Sequence, residues 1–146
     1  MTTGGPPAGV DYSGVTEVPG NRITQEALSM MYTRYALAAE RCAGRDVLEV
    51  ACGAGQGLGL LARRARRVVG GDVTEALLRT ARRHYGPRVP LMRMDAQMLP
   101  FRAGAFDVVL LYEAIYYLAR PERFVQECRR VLRMPGMLLV GTVNRE

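Results

Sequence analysis

The stretch VLEVACGAGQG, residues 47–57, runs from an apolar segment into a loop that has glycine at three alternate positions. Glycine loses more conformational entropy on folding than any other residue, so three of them in one loop require a structural reason. A loop of this kind directly after a strand indicates that a ligand approaches bare backbone. The stretch therefore predicts a binding loop at the end of the first strand of a sheet.

Strand and helix patterns alternate along the rest of the chain. Apolar runs typical of buried strands begin at residues 46, 67, 89, 106 and 136, and most of the segments between them have helical periodicity. The exception is AQMLPFRAGA, residues 96–105, which predicts a loop or a single turn. This order predicts an α/β fold, a Rossmann-like, doubly wound, mostly parallel sheet with helices on both faces.

The chain of 146 residues is about the length of one domain. Residues 1–22 are rich in glycine, proline and threonine and predict a flexible N-terminal arm. Residues 23–146 form the predicted domain, with an N-terminal helix over 23–44, capped by Thr24, and a core over 46–143. A helix is also predicted over 55–66, leaving the glycine loop, and another over 121–133.

Composition excludes several classes of protein. No apolar run reaches the roughly 18 residues that a membrane span needs, and no secretory signal is visible. Three cysteines without a CxxC pair predict neither a disulfide framework nor a metal site, and a cytoplasmic location is the simplest expectation. The net charge of +6 comes entirely from arginine, in clusters that fit solvated helix faces better than a nucleic-acid footprint.

The spacing of the glycines separates two kinds of cofactor. A dinucleotide loop has the pattern GxGxxG, which fails here at Leu58 when counted from Gly53 and at Leu60 when counted from Gly55. The observed GxGxG is preceded by an acidic residue, Glu49, whose charge would repel a pyrophosphate. This pattern resembles motif I of the class I S-adenosylmethionine-dependent methyltransferases, and most closely their small-molecule, UbiE-like group (methyltransferase type 11).

Acidic residues after the next two strands occur in the order that this resemblance requires. Asp72 ends the second strand nineteen residues after Gly53, where an acidic residue accepts hydrogen bonds from ribose hydroxyls. The resemblance implies that Val73 packs on the adenine, and that Asp95 and the backbone of Ala96 bind its edge. Helix capping by Asp72 and a turn at Asp95 remain the alternatives. The implied cofactor-binding set is Glu49, Ala51, Gly53, Gly55, Gly57, Asp72, Val73, Asp95, Ala96 and Tyr112.

Methyl transfer from a sulfonium is a direct displacement, so proximity alone can suffice and a general base is optional. FDVVLLYEAIYYL, residues 106–118, resembles motif IV and carries the weak catalytic candidates Glu113, Tyr112 and Tyr116. The single histidine, His84, is expected at the opposite edge of the sheet, because its helix runs away from the cofactor face. In the N-terminal helix, Arg34 is placed to pair with the methionine carboxylate, or the helix only packs on the sheet.

The sequence therefore predicts an S-adenosylmethionine-dependent methyltransferase that acts on a small-molecule acceptor and yields S-adenosylhomocysteine. The alternatives are a non-catalytic module that binds the cofactor or a partner, and then a nucleic-acid methyltransferase. Relatives continue past the fifth strand, so the domain is expected to be truncated there. The bare apolar edge of that strand is expected to be covered by a second copy or by a partner.

Overall fold

A five-stranded parallel sheet organises the part of the chain that the computed structural model describes, namely residue 11 and residues 24–142. The strands are β1 (Asp46–Val50), β2 (Arg67–Asp72), β3 (Leu91–Arg93), β4 (Phe106–Tyr112) and β5 (Leu132–Gly141). The helices are α1 (Gln25–Arg41), α2 (Leu58–Ala62), α3 (Glu75–Tyr85) and α4 (Pro121–Val131), with 3₁₀ turns at Gly86–Arg88 and Ile115–Tyr117. The predicted arm over 1–22 lies outside the described residues except for Asp11.

The strand order β3-β2-β1-β4-β5 places β1 at the centre, and every pair of neighbours is parallel. The chain moves outward from β1 to β2 and β3, then returns to the other side of β1 with β4 and β5. The order therefore reverses between β1 and β4. In open α/β sheets, ligands bind at the carboxyl ends of the strands beside such a reversal. The predicted Rossmann-like fold is confirmed.

Side chains of the sheet alternate between two buried clusters, as the pleat of a strand requires. Val47, Val68 and Val108 face the cluster that contains residues of α1, α2 and α3. Leu48 and Val109 face the opposite cluster, which contains Phe124 and Cys128 of α4. Because Glu49 has the same parity as Val47, its side chain lies on the face that α1 covers. Helices therefore cover both faces of the sheet.

The bounds of α2, α4 and β5 differ from the sequence prediction. The helix predicted over 55–66 is only the five residues of α2, since Gly57 and Gly59 oppose helix formation at its start and turns follow Ala62. The helix predicted over 121–133 ends at Val131, and β5 starts at Leu132 rather than at residue 136. The segment over 96–105 has no helix, as predicted, and contains an isolated bridge between Asp95 and Met98.

An ion-pair network joins four strands at the amino end of the sheet. The carboxylate of Asp46 in β1 accepts hydrogen bonds from Arg66 at 2.6 Å and from Arg133 of β5 at 3.0 Å. Arg133 also pairs with Asp107 of β4 at 3.0 Å, and Arg67 of β2 lies 3.8 Å from Asp46. The hydrogen bond from Arg66 is the main cause of the lowered pKa of Asp46. The hydrogen bond that the backbone N–H of Asp46 donates to Asp107 is the main cause of the lowered pKa of Asp107. The network holds the end of the sheet opposite the glycine loop.

We expect Asp46→Asn to destabilise the fold by about 2 kcal/mol at pH 7, because three guanidinium groups lose their shared carboxylate. The pKa of Asp46 is lower in the folded than in the unfolded state, so its stabilisation is present above about pH 4 and is lost as the pH falls through the folded-state pKa. Urea unfolding at pH 7 and at pH 3 measures this: the difference between Asp46→Asn and the wild type should shrink at pH 3. A matched change in the exposed pair of α3, Glu75→Gln, should cost less than about 0.5 kcal/mol at both pH values.

The outer strand β5 exposes apolar side chains, with Met134 at 88% and Val140 at 46% exposure. Coverage of this edge by a second copy or by a partner stays a prediction.

Within the described residues, none of the helices combines the length and the apolar character that a membrane crossing requires.

Candidate functional site

The glycine loop leaves the carboxyl end of β1 in a left-handed turn. Ala51, Gly53 and Gly55 have φ angles of 57°, 59° and 84°. A left-handed conformation costs an alanine roughly 1 kcal/mol or more, and such strain concentrates at functional sites. A second non-glycine residue with positive φ, Glu113 at 55°, follows the neighbouring strand β4. The two strained residues therefore mark the ends of the two strands at which the order of the sheet reverses.

The glycines of the loop have different neighbours. A Cβ on Gly57 would overlap the ring of Tyr35, which packs from α1 directly onto the Gly57 backbone. A Cβ on Gly55 would come within 2.8 Å of the ring of Tyr85, at the end of α3. Here the protein's own tyrosines require these two glycines. Contact of Gly55 and Gly57 with a cofactor stays a prediction, and the packing of the two tyrosines is a second reason for glycine at both positions.

Glu49 is fully buried beneath the loop. Its Oε1 accepts a hydrogen bond from the hydroxyl of Tyr35, and its Oε2 has no hydrogen-bond partner among the described residues. Burial is the main reason that the pKa of Glu49 is raised to about 8; the Tyr35 hydrogen bond lowers it and the neighbouring charge of Asp72 raises it. An orphaned buried carboxylate oxygen is costly, so its presence beside a strained loop indicates a site for a donor or a cation.

Asp72 ties the end of β2 to the glycine loop. Its Oδ2 accepts from the N–H of Gly53 at 2.8 Å, and its Oδ1 accepts from the N–H of Thr74 at 2.8 Å. The side chain is buried, and burial raises its pKa more than these bonds lower it. Thr74 makes no side-chain cap, so Asp72 holds the start of α3 as well as the loop. Capping, the alternative to ribose binding, is thus present, and ribose binding stays a prediction.

Asp95 and Ala96 follow β3 at the same edge of the sheet, as predicted. The Oδ1 of Asp95 accepts from the N–H of Gln97 at 2.9 Å, which is the turn-forming role named as its alternative. Ala96 is buried, and Val73 is half-buried and accepts from Arg93 through its carbonyl. The structure places these residues near the strand ends but does not test their contacts with a cofactor.

Residues after β4 are joined to α1. Arg34 donates to Oε1 of Glu113, and the hydroxyl of Tyr112 donates to the carbonyl of Arg34 at 3.3 Å. The ring of Tyr112 meets that of Tyr35 edge-on, with the centroids 5.2 Å apart. Tyr116 is 49% exposed, and its hydroxyl lies 3.4 Å from Oε2 of Glu113. Helix α1 therefore closes over the ends of β1 and β4, and Arg34, expected beside a methionine carboxylate, pairs with Glu113.

Tyr85 is a site residue that the sequence reasoning missed. Its hydroxyl accepts from the N–H of Gly59 at 3.0 Å and donates to the carbonyl of Gly55. The side chain of Tyr85 thus reaches the loop from the last residue of α3, while His84 beside it is exposed. The stripe of Leu78, Ala81 and Tyr85 on α3 indicated burial, but nothing in the sequence indicated a contact with a loop some 30 residues earlier.

We expect Tyr85→Phe to lower the stability by about 1–2 kcal/mol, because the half-buried Gly59 N–H and the buried Gly55 carbonyl lose their shared partner. The ring stays packed on Gly55, so the fold is retained. Urea unfolding gives the stability difference. Tyr32→Phe, at a tyrosine of α1 that is 60% exposed, is the control and should change stability by less than about 0.5 kcal/mol. Equal effects of the two changes would show that the Tyr85 hydroxyl does not hold the loop.

A cavity of about 420 Å³ lies between α1 and the start of α2. Apolar or aromatic side chains line most of it, and Gln25, Ser29 and Gln56 add neutral polar groups. No charged residue is among its lining residues within the described chain. Tyr35 forms part of its wall and separates it from Glu49.

Comparison with known proteins identifies what this site resembles. The family model described as a methyltransferase domain matches residues 48–140. A "probable S-adenosylmethionine-dependent methyltransferase" of Mycolicibacterium smegmatis is 40% identical over 139 residues, which are 95% of this chain and 54% of that protein. A ubiquinone biosynthesis O-methyltransferase of Sinorhizobium medicae is 33% identical over 105 residues, 70% of this chain and 42% of that protein.

A solved structure, that of the PH0226 protein of Pyrococcus horikoshii, superposes with a TM-score of 0.70 at 31% identity. The match covers 80% of this chain and 58% of that one. The chain thus spans about half the length of the curated relatives it matches.

Proposed function

The chain belongs to the family of S-adenosylmethionine-dependent methyltransferases, and from this premise we propose that it binds S-adenosylmethionine at the glycine loop and methylates a small-molecule acceptor. The observation that carries the proposal is the buried carboxyl group of Glu49, one oxygen of which has no hydrogen-bond partner among the described residues beneath the loop. S-adenosylmethionine is cationic and rich in hydrogen-bond donors, and the residues offered to it at the strand ends are acidic acceptors. The donor set of the cofactor and the acceptor set of the site therefore fit.

Three carboxylates would hold the cofactor, each from a different strand end. Glu49 of β1 is suited to its ammonium group, Asp72 of β2 to its ribose hydroxyls, and Asp95 after β3 to its adenine amino group. The backbone of Ala51 and Gly53 would lie against it, with Val73, Ala96 and Tyr112 beside it. The cofactor supplies the electrophilic methyl group, and the protein supplies position and exclusion of water.

The uncharged cavity beside Tyr35 supports a small-molecule acceptor of largely apolar character. A nucleic-acid acceptor would need a basic surface beside the site, whereas the lining of this cavity carries no charge among the described residues. Cys42, Cys52 and Cys128 are unpaired and buried, which supports the proposed location in a reducing cytoplasm.

We expect Glu113→Gln to lower turnover by less than about tenfold, because Arg34 already holds this carboxylate. A general base contributes roughly 10²–10⁴-fold to the rate. The size of the loss in turnover therefore distinguishes a general base from a residue that only pairs with Arg34. Initial rates of S-adenosylhomocysteine formation measure the effect, with Glu122→Gln on the exposed surface of α4 as the control. A loss of a hundredfold or more at unchanged stability would identify Glu113 as the base.

Calorimetric titration with S-adenosylmethionine and S-adenosylhomocysteine, followed by a screen for methyl transfer to neutral aromatic and aliphatic acceptors, tests the proposal. We expect binding of both cofactor forms and transfer to an uncharged acceptor. Binding of neither at millimolar concentration would refute the proposal. Binding without transfer to any acceptor would favour a non-catalytic cofactor-binding module.

A further inference from the structure

Tyr35 and Glu49 form a buried, hydrogen-bonded pair, and the proposed function assigns a role to Glu49 but none to Tyr35. The hydroxyl of Tyr35 donates to Oε1 of Glu49, and the Tyr35 ring lies on the Gly57 backbone. Glu49 is 1% exposed and Tyr35 is 9% exposed. A tyrosine hydroxyl donates one hydrogen bond, so it cannot satisfy both oxygens of the carboxyl group. Oε2 remains without a partner among the described residues.

Among the described residues, arginines act on the neighbours of Glu49 rather than on Glu49 itself: Arg34 on Tyr112, Arg45 on Cys42, Arg82 on Cys52 and Arg88 on Tyr85. Arg34 and Arg82 already pair with Glu113 and Glu75. The ionisable groups that interact with Glu49 come from α1, the glycine loop, β2, α3 and β4, and each is neutral or negative at neutral pH. They are Tyr35, Cys42, Cys52, Asp72, Tyr85 and Tyr112. An ionised carboxylate in such a place is unfavourable unless a cation accompanies it. The free protein therefore holds a proton at this carboxyl group.

We propose that Tyr35 is a positioning residue that sets the protonation of Glu49, so that binding of the cationic cofactor releases one proton from Glu49 to solvent. The inference rests on the proposed function. The balance is simple: the free site holds a neutral carboxyl group, and the occupied site holds a carboxylate paired with the cofactor's ammonium. No covalent bond of the cofactor changes in this step. Tyr35 keeps its own proton and donates its hydrogen bond to the carboxylate.

Two features of the structure agree with this exchange. The pKa of Glu49 is raised to about 8, chiefly by burial, so the carboxyl group carries its proton at neutral pH. The pKa of Tyr35 is raised well above its ordinary value by its own burial and by the charge of Glu49, so its hydroxyl stays a donor. Because a hydrogen bond from Tyr35 stabilises the charged form of Glu49, loss of that bond should raise the pKa of Glu49 further.

Proton release is measured by titrating the protein with S-adenosylmethionine at pH 6.5 in two buffers of different ionisation enthalpy. The ammonium of the cofactor keeps its own proton at this pH. We expect about one proton released per cofactor bound by the wild type and none by Glu49→Gln. The surface variant Glu75→Gln should behave as the wild type. Binding without proton release by the wild type would overturn the inference and leave the proposed function intact, whereas absence of binding would overturn both.

The role of Tyr35 has its own test in the free protein. The infrared absorption of a protonated carboxyl group, identified as the band that Glu49→Gln removes, is followed as the pH is raised. We expect Tyr35→Phe to move the midpoint of this band to higher pH, while Tyr32→Phe, at a tyrosine of α1 that is 60% exposed, leaves it unchanged. An unchanged or lower midpoint in Tyr35→Phe, in a protein whose urea unfolding shows that it is folded, would overturn the role of Tyr35.

Discussion

Replacing Glu49 by glutamine should stabilise the folded protein at pH 8 and weaken its binding of the cofactor. Burial raises the pKa of Glu49 to about 8, so the folded state binds this proton more tightly than the unfolded state. The stability that the proton confers is fully present below about pH 4.3 and is lost as the pH rises through 8. Glutamine stays neutral throughout and can still accept from Tyr35. The gain should grow with pH to a ceiling of about 5 kcal/mol.

Urea unfolding of the wild type and Glu49→Gln at pH 5 and pH 8 measures this difference, with Glu75→Gln as the control for removal of an exposed carboxylate. The same substitution removes the negative charge offered to the cofactor, and we expect its dissociation constant to rise about 10- to 100-fold. A variant less stable than the wild type at pH 8 would mean that Glu49 is held as a carboxylate in the free protein.

Gly57→Ala should destabilise the protein by about 3 kcal/mol, the upper part of the range for overpacking. The added Cβ would overlap the Tyr35 ring, which cannot move without breaking its hydrogen bond to Glu49 and lifting α1 from the loop. The clash is with a rigid aromatic ring on the face that α1 covers, so the protein can relieve it only by a displacement of α1. Urea unfolding gives the stability, and amide hydrogen exchange over residues 25–41 reports on the docking of α1.

The matched control for this substitution is Gly59→Ala, two residues along the same segment. A Cβ there would meet nothing closer than the Tyr85 hydroxyl at 3.4 Å, an ordinary contact. We expect a change of less than about 1 kcal/mol, and a partial recovery of Gly57→Ala when Tyr35→Ala is added. A loss in Gly57→Ala that Tyr35→Ala does not reduce would show that the glycine is required for another reason.

The sequence predicted the sheet, and it predicted the strand ends at which the candidate site lies, because both depend on local patterns. Buried parallel strands read as apolar runs, and the loop after the first of them carries its own glycine signal. Glu49, Asp72 and Asp95 were found because each lies at a fixed place relative to a strand end. The lengths of α2 and β5 were not predicted, since glycine placement and strand pairing decide those boundaries.

The contacts that shape the loop could not be predicted, because they join residues distant in sequence. Neither Tyr35 nor Tyr85 carries a signal in the sequence that marks it as a contact of the glycine loop. Both become important through the packing of helices against Gly57 and Gly55. A glycine pattern shows that something lies close to the backbone, but the pattern does not distinguish a cofactor from a tyrosine of the same chain.

Calorimetric titration of the wild type and of Glu49→Gln with S-adenosylmethionine tests most directly whether the acidic residue beneath the glycine loop binds a cationic cofactor. We expect saturable one-to-one binding by the wild type with a dissociation constant below about 1 mM, weakened at least tenfold in Glu49→Gln. Equal affinity in the two proteins, or no binding by the wild type, would contradict this expectation.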